Sequence, residues 1–369
     1  MKIKLLIISA NPFIRNGVSN VIFNYLDSMD MSDMAIDVVS MNTPDETYNK
    51  ILREKGCKCF IIPRSRNSIL KRWYNIYKLL RDEKYDAIHM HANSHTCIME
   101  LSAAWAAGCK VRIVHSHSTK CISPLLHKFL SPLFYHLCTH GIACGKDAGL
   151  WMFGKKPFLI MRNGINTEAY RYKPEQRNKY REKLGFAEDN IVIGHVGNFY
   201  NVKNHAFLIN VFSVLHNHNS LYKLLLIGDG KLRNDIETQI ISLELKNDVV
   251  LTGGVPDVYN YLDAIDAVVM PSLFEGLPLS LVEQQANGLQ CVVSDTVSSE
   301  ADLTGNICFL SLNTSADGWA TKVNELIDLK NRKERSETSI KQIEDKGYSI
   351  QKEASKLKDY YHKAILEQQ

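Results

Sequence analysis

The chain has 369 residues, 45% of them hydrophobic and 23% charged, with a formal net charge of +4. This is the composition of a globular protein long enough for two domains, and it lacks the charge surplus of a nucleic-acid binder. No apolar run reaches membrane-spanning length. Nine scattered cysteines without a CxxC read as reduced thiols of a cytosolic protein, not as a disulfide or zinc framework.

The N-terminal "IKLLIIS" leads straight into "RNGVSNVI" without a small-residue cleavage site, so it is predicted to be a buried strand and not a signal peptide. Further short Val- and Ile-rich runs follow in the first half: "AIDVVSM", "CFIIP", "DAIHMH", "VRIVHSH", "GIAC" and "FLIMR". The second half carries "IVIGHVG", "YKLLLIG", "DVVLTG", "DAVVMP", "LQCVVS" and "ICFLS". Helical patterns separate them, so parallel sheets built from βαβ units are expected. Near-continuous apolar strands imply sheets covered on both faces. Thirteen strands are better divided between two sheets than held in one. The polar stretch from Arg162 to Asn190 has no strand and marks the boundary. The expected domains are residues 1–165, residues 166–345 and a C-terminal helix, 346–369. That helix presents Ile350, Ala354, Leu357, Tyr361 and Ala364 on one face and is expected to pack back on the first domain.

In the first half, "NPFIRNGVSNVI" contains Asn16 and Gly17 before a helix. One glycine falls short of a GxGxxG dinucleotide fingerprint. The segment from Arg64 to Lys84 is basic and amphipathic, with Ile69, Trp73, Ile76, Tyr77 and Leu80 forming a stripe. It reads either as an ordinary helix covering the sheet or as a contact with an anionic membrane. Histidines gather at strand ends as His89, His91 and His95, and as His115 and His117. A zinc site is one reading, but no carboxylate or cysteine partner is evident, and packed polar residues at strand ends are the plainer one.

In the second half, Lys203 follows a strand near the start of the next helix, where its ammonium group suits a phosphate. "FEGLPLSLVE" follows another strand. Pro278 is placed as a first helical residue, which leaves free N–H groups around Leu279 and Ser280. Gly276 permits close approach to the backbone. Glu275 lies before the helix and Glu283 in its second turn. A carboxylate accepts two vicinal hydroxyls, so the spacing suits a nucleotide-sugar with a diphosphate between the two glutamates. The alternative is two exposed glutamates on an ordinary turn.

The ordered set "GHVGNFYNVKNH", "KLLLIGDGKLR", "VVLTGGVPDV", "DAVVMPSLFEGLPLSLVEQQANGLQCVVSD" and "RNGINTEAY" resembles the retaining GT-B glycosyltransferases of family 4, also called glycosyltransferase group 1. The similarity extends more weakly over the first half. It resembles most the bacterial enzymes that build exopolysaccharide, capsule or lipopolysaccharide. The resemblance implies a GT-B fold: two Rossmann-like doubly wound domains facing across a cleft. It implies transfer of a hexose from a nucleotide-diphosphate sugar, with UDP the expected nucleotide, to a glycan or lipid-linked acceptor.

The residue roles implied by the resemblance are specific. Lys203 contacts the donor diphosphate. Glu275 and the backbone of Gly276, Leu277 and Leu279, with Ser280 beside them, hold the donor sugar. Glu283 binds the ribose, and the base is read near Gly253, Gly254 and Val255. Gly17 and Asn16 approach the diphosphate and the acceptor. His117 stands beside the reacting sugar, with His115 the next candidate. Glu275 and His117 carry the catalytic assignment, as groups that position the sugar and stabilise charge.

One departure from the family pattern concerns the loop after the first strand of the second half, where "VGN" replaces the usual "VGR". Asn198 thus puts a neutral amide where a planar cation is expected on the diphosphate. No DxD occurs, so neither a metal nor another cofactor is expected; the helix N-terminus and Lys203 would stabilise the leaving diphosphate. Two alternatives stand beside this reading: a nucleotide-sugar epimerase of GT-B-like fold, and a catalytically inactive subunit that binds the donor. The expected location is cytoplasmic, with peripheral contact to the inner membrane face and no nucleic-acid partner.

Overall fold

The structure, a computed structural model, describes residues 2–14, 16–64, 69–328 and 330–368. Arg15 of the loop after the first strand and residues 65–68 of the basic stretch lie outside the described residues. The chain divides into two units: residues 1–164 with 347–369, and residues 165–346.

The first unit runs β1 (Ile3–Ser9), α1 (Gly17–Ser28), β2 (Met34–Ser40), α2 (Glu46–Glu54), β3 (Cys59–Ile61), α3 (Ile69–Glu83) and β4 (Ala87–Ala92). It continues with α4 (Ile98–Ala106), β5 (Val111–Ser116), α5 (Pro124–Phe129), α6 (Ser131–Leu137), β6 (His140–Ala143), α7 (Lys146–Phe153) and β7 (Leu159–Ile160). Its seven strands are ordered β3-β2-β1-β4-β5-β6-β7 and pair in parallel. The order reverses between β1 and β4, which makes the loops after those strands the natural ligand position.

The second unit runs α8 (Pro174–Leu184), β8 (Ile191–Val196), α9 (His205–His218), β9 (Tyr222–Ile227), α10 (Arg233–Ser242), β10 (Val249–Leu251) and α11 (Val258–Ala264). Then come β11 (Ala267–Met270), α12 (Leu279–Ala286), β12 (Gln290–Ser294), β13 (Ile307–Leu310), α13 (Ala316–Leu326) and α14 (Arg332–Asp345). The sheet order is β10-β9-β8-β11-β12-β13, again parallel, and it reverses between β8 and β11. Central strands bury nearly every side chain, as in "AVVM" of β11, because helices cover both faces. Two clusters fill those faces, one around Phe199, Phe212 and Trp319 and the other around Leu262, Met270 and Leu281.

The chain returns to the first unit as α15 (Ile350–Leu366). Ile350, Ala354, Leu357, Tyr361 and Ala364 are all buried, on a face that packs against α1. The Arg162 backbone N–H donates to Glu353 Oε2 at 2.8 Å, and Lys358 pairs with Asp30 and Asp33 at 2.6 and 2.8 Å. At Gly164 an added Cβ would lie 2.8 Å from the Ile350 backbone, so only glycine lets the start of α15 come this close.

Helix α3 uses most of its stripe internally. Ile76 and Leu80 are buried, Trp73 and Tyr77 pack on the same core, and Trp73 Nε1 donates to Ser102 Oγ at 2.9 Å. Arg72, on the adjoining face, forms a fully buried ion pair with Glu100 at 3.1 Å. Of the stripe, Ile69 stays exposed. The described part of this segment therefore covers its own sheet.

Candidate active site

In the second unit the two loops at the strand-order reversal, after β8 and after β11, carry the residues of interest. The loop after β8 is held by backbone bonds from the next crossover. Phe199 N donates to Asp229 O at 2.9 Å and Leu232 N to Phe199 O at 3.1 Å. Lys203 ends a 3-10 turn, Asn201–Lys203, and α9 starts two residues later. Its Nζ donates to Glu275 Oε1 at 2.5 Å, and Ser272 Oγ donates to the same oxygen at 2.8 Å. Both charged side chains are largely covered, 14% and 16% exposed. Low exposure strengthens the attraction relative to a surface pair.

Glu275 is fixed through its backbone as well. It forms a parallel bridge with Val297, and its carbonyl accepts from Ser298 N at 3.1 Å. Gly276 is exposed, and a Cβ there would meet nothing within 4 Å. Helix α12 begins at Leu279. Pro278 is its N-cap and not its first helical residue as the sequence suggested, and no side chain caps the helix. The N–H groups of Leu279 and Ser280 belong to a first turn that lacks intrahelical carbonyl partners and concentrates the positive end of the helix dipole. Leu277 precedes this start and is half-buried.

Glu283, one turn on, is half-buried. Burial pushes its carboxyl up to about 7, against the opposing pull of a hydrogen bond from the Tyr170 hydroxyl. Tyr170 is fixed from behind: its carbonyl accepts from Asn287 Nδ2 at 2.9 Å, and its ring meets that of Tyr259 edge-on at 6.2 Å. Gly253 adopts φ +71°, and its carbonyl accepts from Gly228 N at 3.0 Å. Val255 is half-buried and packs on the core. Arg233 stands beside this loop, with Nη1 3.9 Å from where a Cβ on Gly253 would be, and bonds to Asp229 and Glu237. Asn198 is exposed on the β8 loop.

In the first unit Asn16 caps α1, its Oδ1 accepting from Ser19 N at 3.0 Å. Gly17 is the first residue of that helix, with open space where a Cβ would lie. The histidines form a stack on one sheet face. His89 and His91 alternate along β4, and register places His115 of β5 opposite His91. The His89 and His115 rings are stacked at 5.4 Å, and those of His115 and His117 at 4.2 Å. His91 Nδ1 and His117 Nε2 share a hydrogen bond of 2.8 Å. The stack is anchored from α15, where the Tyr361 hydroxyl meets His89 Nδ1 at 2.6 Å. His95 is separate, bonded to the carbonyls of His127 and Met152.

Burial holds all four stacked imidazoles neutral. His117 is lowered to about 4 and His89 to about 3, with His91 and His115 well below the ordinary value. A neutral His117 offers a hydrogen bond but no positive charge, which narrows the charge-stabilising role expected of it. His89, His91 and His115 each bring a nitrogen within 4.8 Å of the others. Tetrahedral zinc with bonds of about 2.0–2.1 Å sets its nitrogens roughly 3.3 Å apart. The stacked rings would have to turn to converge on one ion.

Tyr170, Ser272 and Arg233 escaped the sequence reading. Tyr170 lies in the quoted linker "RNGINTEAY", yet nothing in its spacing points to Glu283. Ser272 stands three residues before Glu275 and could have been found as a neighbouring hydroxyl.

The family described as "Glycosyl transferases group 1" matches residues 176–343, and "Glycosyltransferase Family 4" matches residues 15–168. A Bacillus subtilis (strain 168) protein named as a glycosyltransferase, EpsF, is 30% identical over 84% of each chain. An Escherichia coli UDP-Gal:alpha-D-GlcNAc-diphosphoundecaprenol alpha-1,3-galactosyltransferase is 28% identical over 86% of this chain and 90% of its own. Among solved structures, Anabaena Alr3699/HepE in complex with UDP and glucose superposes with a TM-score of 0.78 at 16% identity. That match covers 98% of this chain and 100% of the other, and at this identity it speaks for the fold. Two parallel α/β units, a lysine and a glutamate meeting where the second sheet reverses, and these matches together make the chain a member of the group 1, family 4 glycosyltransferases, with the GT-B fold.

Proposed function

We propose that the chain transfers a hexose, with retention of anomeric configuration, from a nucleotide-diphosphate sugar to a lipid-linked glycan in bacterial surface polysaccharide synthesis. The observation that carries this reading is the Lys203–Glu275 pair beside the uncapped start of α12. A diphosphate needs a cation and free N–H donors, and a sugar needs a carboxylate to accept its hydroxyls. All three meet in the second unit. Glu283 accepts the ribose hydroxyls one helical turn further on, and the Gly253–Val255 loop faces the base.

UDP is the favoured nucleotide because the E. coli relative uses UDP-Gal and the Anabaena protein was crystallised with UDP. The acceptor reading draws on the diphosphoundecaprenol named for the E. coli relative. Lys203 and the α12 start would neutralise the departing diphosphate without a metal ion. In the first unit His117, steadied by His91, is a neutral hydrogen-bonding group. The reading sets this reaction at the cytoplasmic side of the membrane, where nucleotide-sugars and the exposed head of a lipid carrier would meet.

A second reading, a donor-binding subunit without transfer activity, is favoured by Asn198, which presents an exposed amide where the family pattern has a cation. Calorimetry with UDP, GDP and dTDP, followed by transfer assays with the corresponding sugars, tests both. Binding of UDP with transfer to a polyprenyl-diphosphate-linked sugar is the expected result. Binding without transfer to any acceptor of that class selects the second reading, and no binding of any nucleotide rejects both.

A further inference from the structure

Helix α5 is folded inside out with respect to polarity, and the apolar surface it exposes continues onto the start of α6. Ile122, Leu125 and Phe129 are 103%, 87% and 80% exposed, and Leu126 and Leu133 are 44% and 47% exposed. Ile122 lies just before α5, Leu125, Leu126 and Phe129 lie on α5, and Leu133 lies on the first turn of α6, so the exposed apolar side chains follow one another along the chain from 122 to 133. Helix α6 turns Phe134 and Leu137 into the core, but the one residue of α5 that faces inward is polar. His127 is buried, with its ring stacked at 3.7 Å on His95 and at 4.3 Å on Trp151. A water-facing helix has the opposite arrangement.

The charge around this ridge has one sign. No Asp or Glu occurs between Glu100 and Asp147, while Lys120 and Lys128 fall within or next to the ridge segment and Lys146 at the start of α7. Lys128 lies on α5 itself and is exposed. Lys156 Nζ reaches the Tyr135 carbonyl of α6 at 3.2 Å, adding a further cation beside it. No helix among the described residues is long and apolar enough to cross a membrane.

We infer that the α5–α6 ridge inserts into the interface of an anionic lipid bilayer, with Leu125 and Phe129 as the deepest side chains and the surrounding lysines on the headgroups. Apolar side chains gain by leaving water for the acyl boundary, and each nearby lysine is drawn to the negative surface. A second copy of the chain fits less well. Five residues are far fewer than the roughly 20–30 that a stable protein interface takes from each side, and two ridges of like charge would repel. The inference extends the lipid-linked acceptor reading and rests on it for its purpose, because such an acceptor is held in a bilayer. Its physical basis, the ridge and its charge, is separate from the donor site. It also moves the membrane contact away from α3, whose stripe is largely spent on its own core.

The test is flotation of the full chain with phosphatidylcholine vesicles, with and without about one third phosphatidylglycerol. Hydrogen exchange of residues 120–134 and UDP calorimetry are run in parallel. The wild type is expected to float with the anionic vesicles and to show slowed exchange in that segment. Leu125→Ser with Phe129→Ser should lower the bound fraction at least tenfold, with circular dichroism and UDP affinity unchanged. Leu70→Ser on α3 should have a much smaller effect. Wild-type chain that stays unbound, a ridge variant that floats like wild type, or a chain that self-associates through the ridge overturns the inference. Vesicle binding without UDP binding leaves it standing and removes the donor reading instead; UDP binding without vesicle binding does the reverse.

Discussion

Lys203 and Glu275 are 72 residues apart in the chain, yet Nζ and Oε1 meet at 2.5 Å between the loops after β8 and β11. The pair sets two requirements against each other. A diphosphate needs the ammonium group, while Glu275 already holds it. Glu275→Gln should therefore release Lys203, leaving UDP affinity equal to wild type or a few-fold tighter while turnover falls. Lys203→Met should weaken UDP binding about ten- to a hundredfold, the range set by roughly 1.5–3 kcal/mol for a charge-assisted bond. Calorimetry and steady-state rates on both variants check this. A Glu275→Gln variant that loses UDP affinity as strongly as Lys203→Met would mean the carboxylate serves the nucleotide and not the sugar.

The same pair, with the α12 N-terminus, leads to the expectation of transfer without metal. Dialysis against EDTA should leave the rate within about twofold of untreated enzyme, because on the proposed reading the leaving group would be met by fixed protein dipoles and one ammonium. A rate restored only by added Mg²⁺ or Mn²⁺ would show that a cation carries the diphosphate.

Much of this arrangement was legible in the sequence, for a physical reason. Parallel strands covered on both faces must be apolar throughout, so runs such as "AVVM" announce themselves. Glycine and proline punctuate loops at known offsets, which located the turn before α12 but placed Pro278 one residue too far inside. What was lost is tertiary. Periodicity shows that α3 has an apolar stripe and is silent on what covers it. The i, i+2 spacing puts His89 and His91 on one face, but only strand register brings His115 beside them. Tyr170 reaches Glu283 from a linker more than a hundred residues away. The α5 ridge was missed because a short run of apolar residues reads the same whether buried or exposed, and exposure is decided by the neighbours.

Gly228 is a stability test of the donor loops. It adopts φ +146°, and a Cβ there would lie 2.1 Å from the Gly197 carbonyl oxygen, where the loop after β8 meets its neighbour. Gly228→Ala combines overpacking of about 1–3 kcal/mol with about 1–3 kcal/mol for a backbone region that L side chains rarely adopt. A loss of about 2–6 kcal/mol is expected. Urea denaturation should show a lower midpoint with an unchanged slope. A midpoint equal to wild type would mean the loop relaxes at no cost and does not brace Lys203.

Glu283 links the donor site to pH. Burial raises its carboxyl from 4.5 to about 7 in the ligand-free protein. Ribose hydroxyls donate hydrogen bonds, so the bound form requires the carboxylate, and below about pH 7 the proton must first leave. UDP affinity should therefore fall as pH drops, approaching tenfold per unit once well below about 7. The opposite sign applies to folding. A group whose native pKa is raised holds its proton more tightly folded than unfolded, so its contribution to stability grows as pH falls from about 7 toward 4.5 and is lost as pH rises again. Low pH should thus raise the melting temperature contribution of Glu283 while weakening its ligand. Glu283→Gln removes the titrating group and keeps the shape, so it separates this effect from the titration of the phosphate itself. The variant should bind UDP about ten- to a hundredfold more weakly than wild type at pH 8, and the gap should close toward pH 6 as wild type protonates. Isothermal titration at several pH values on both proteins gives the comparison. A gap that stays constant from pH 8 to pH 6 would show that Glu283 does not change charge in this range, and an affinity equal to wild type at pH 8 would remove it from the ribose.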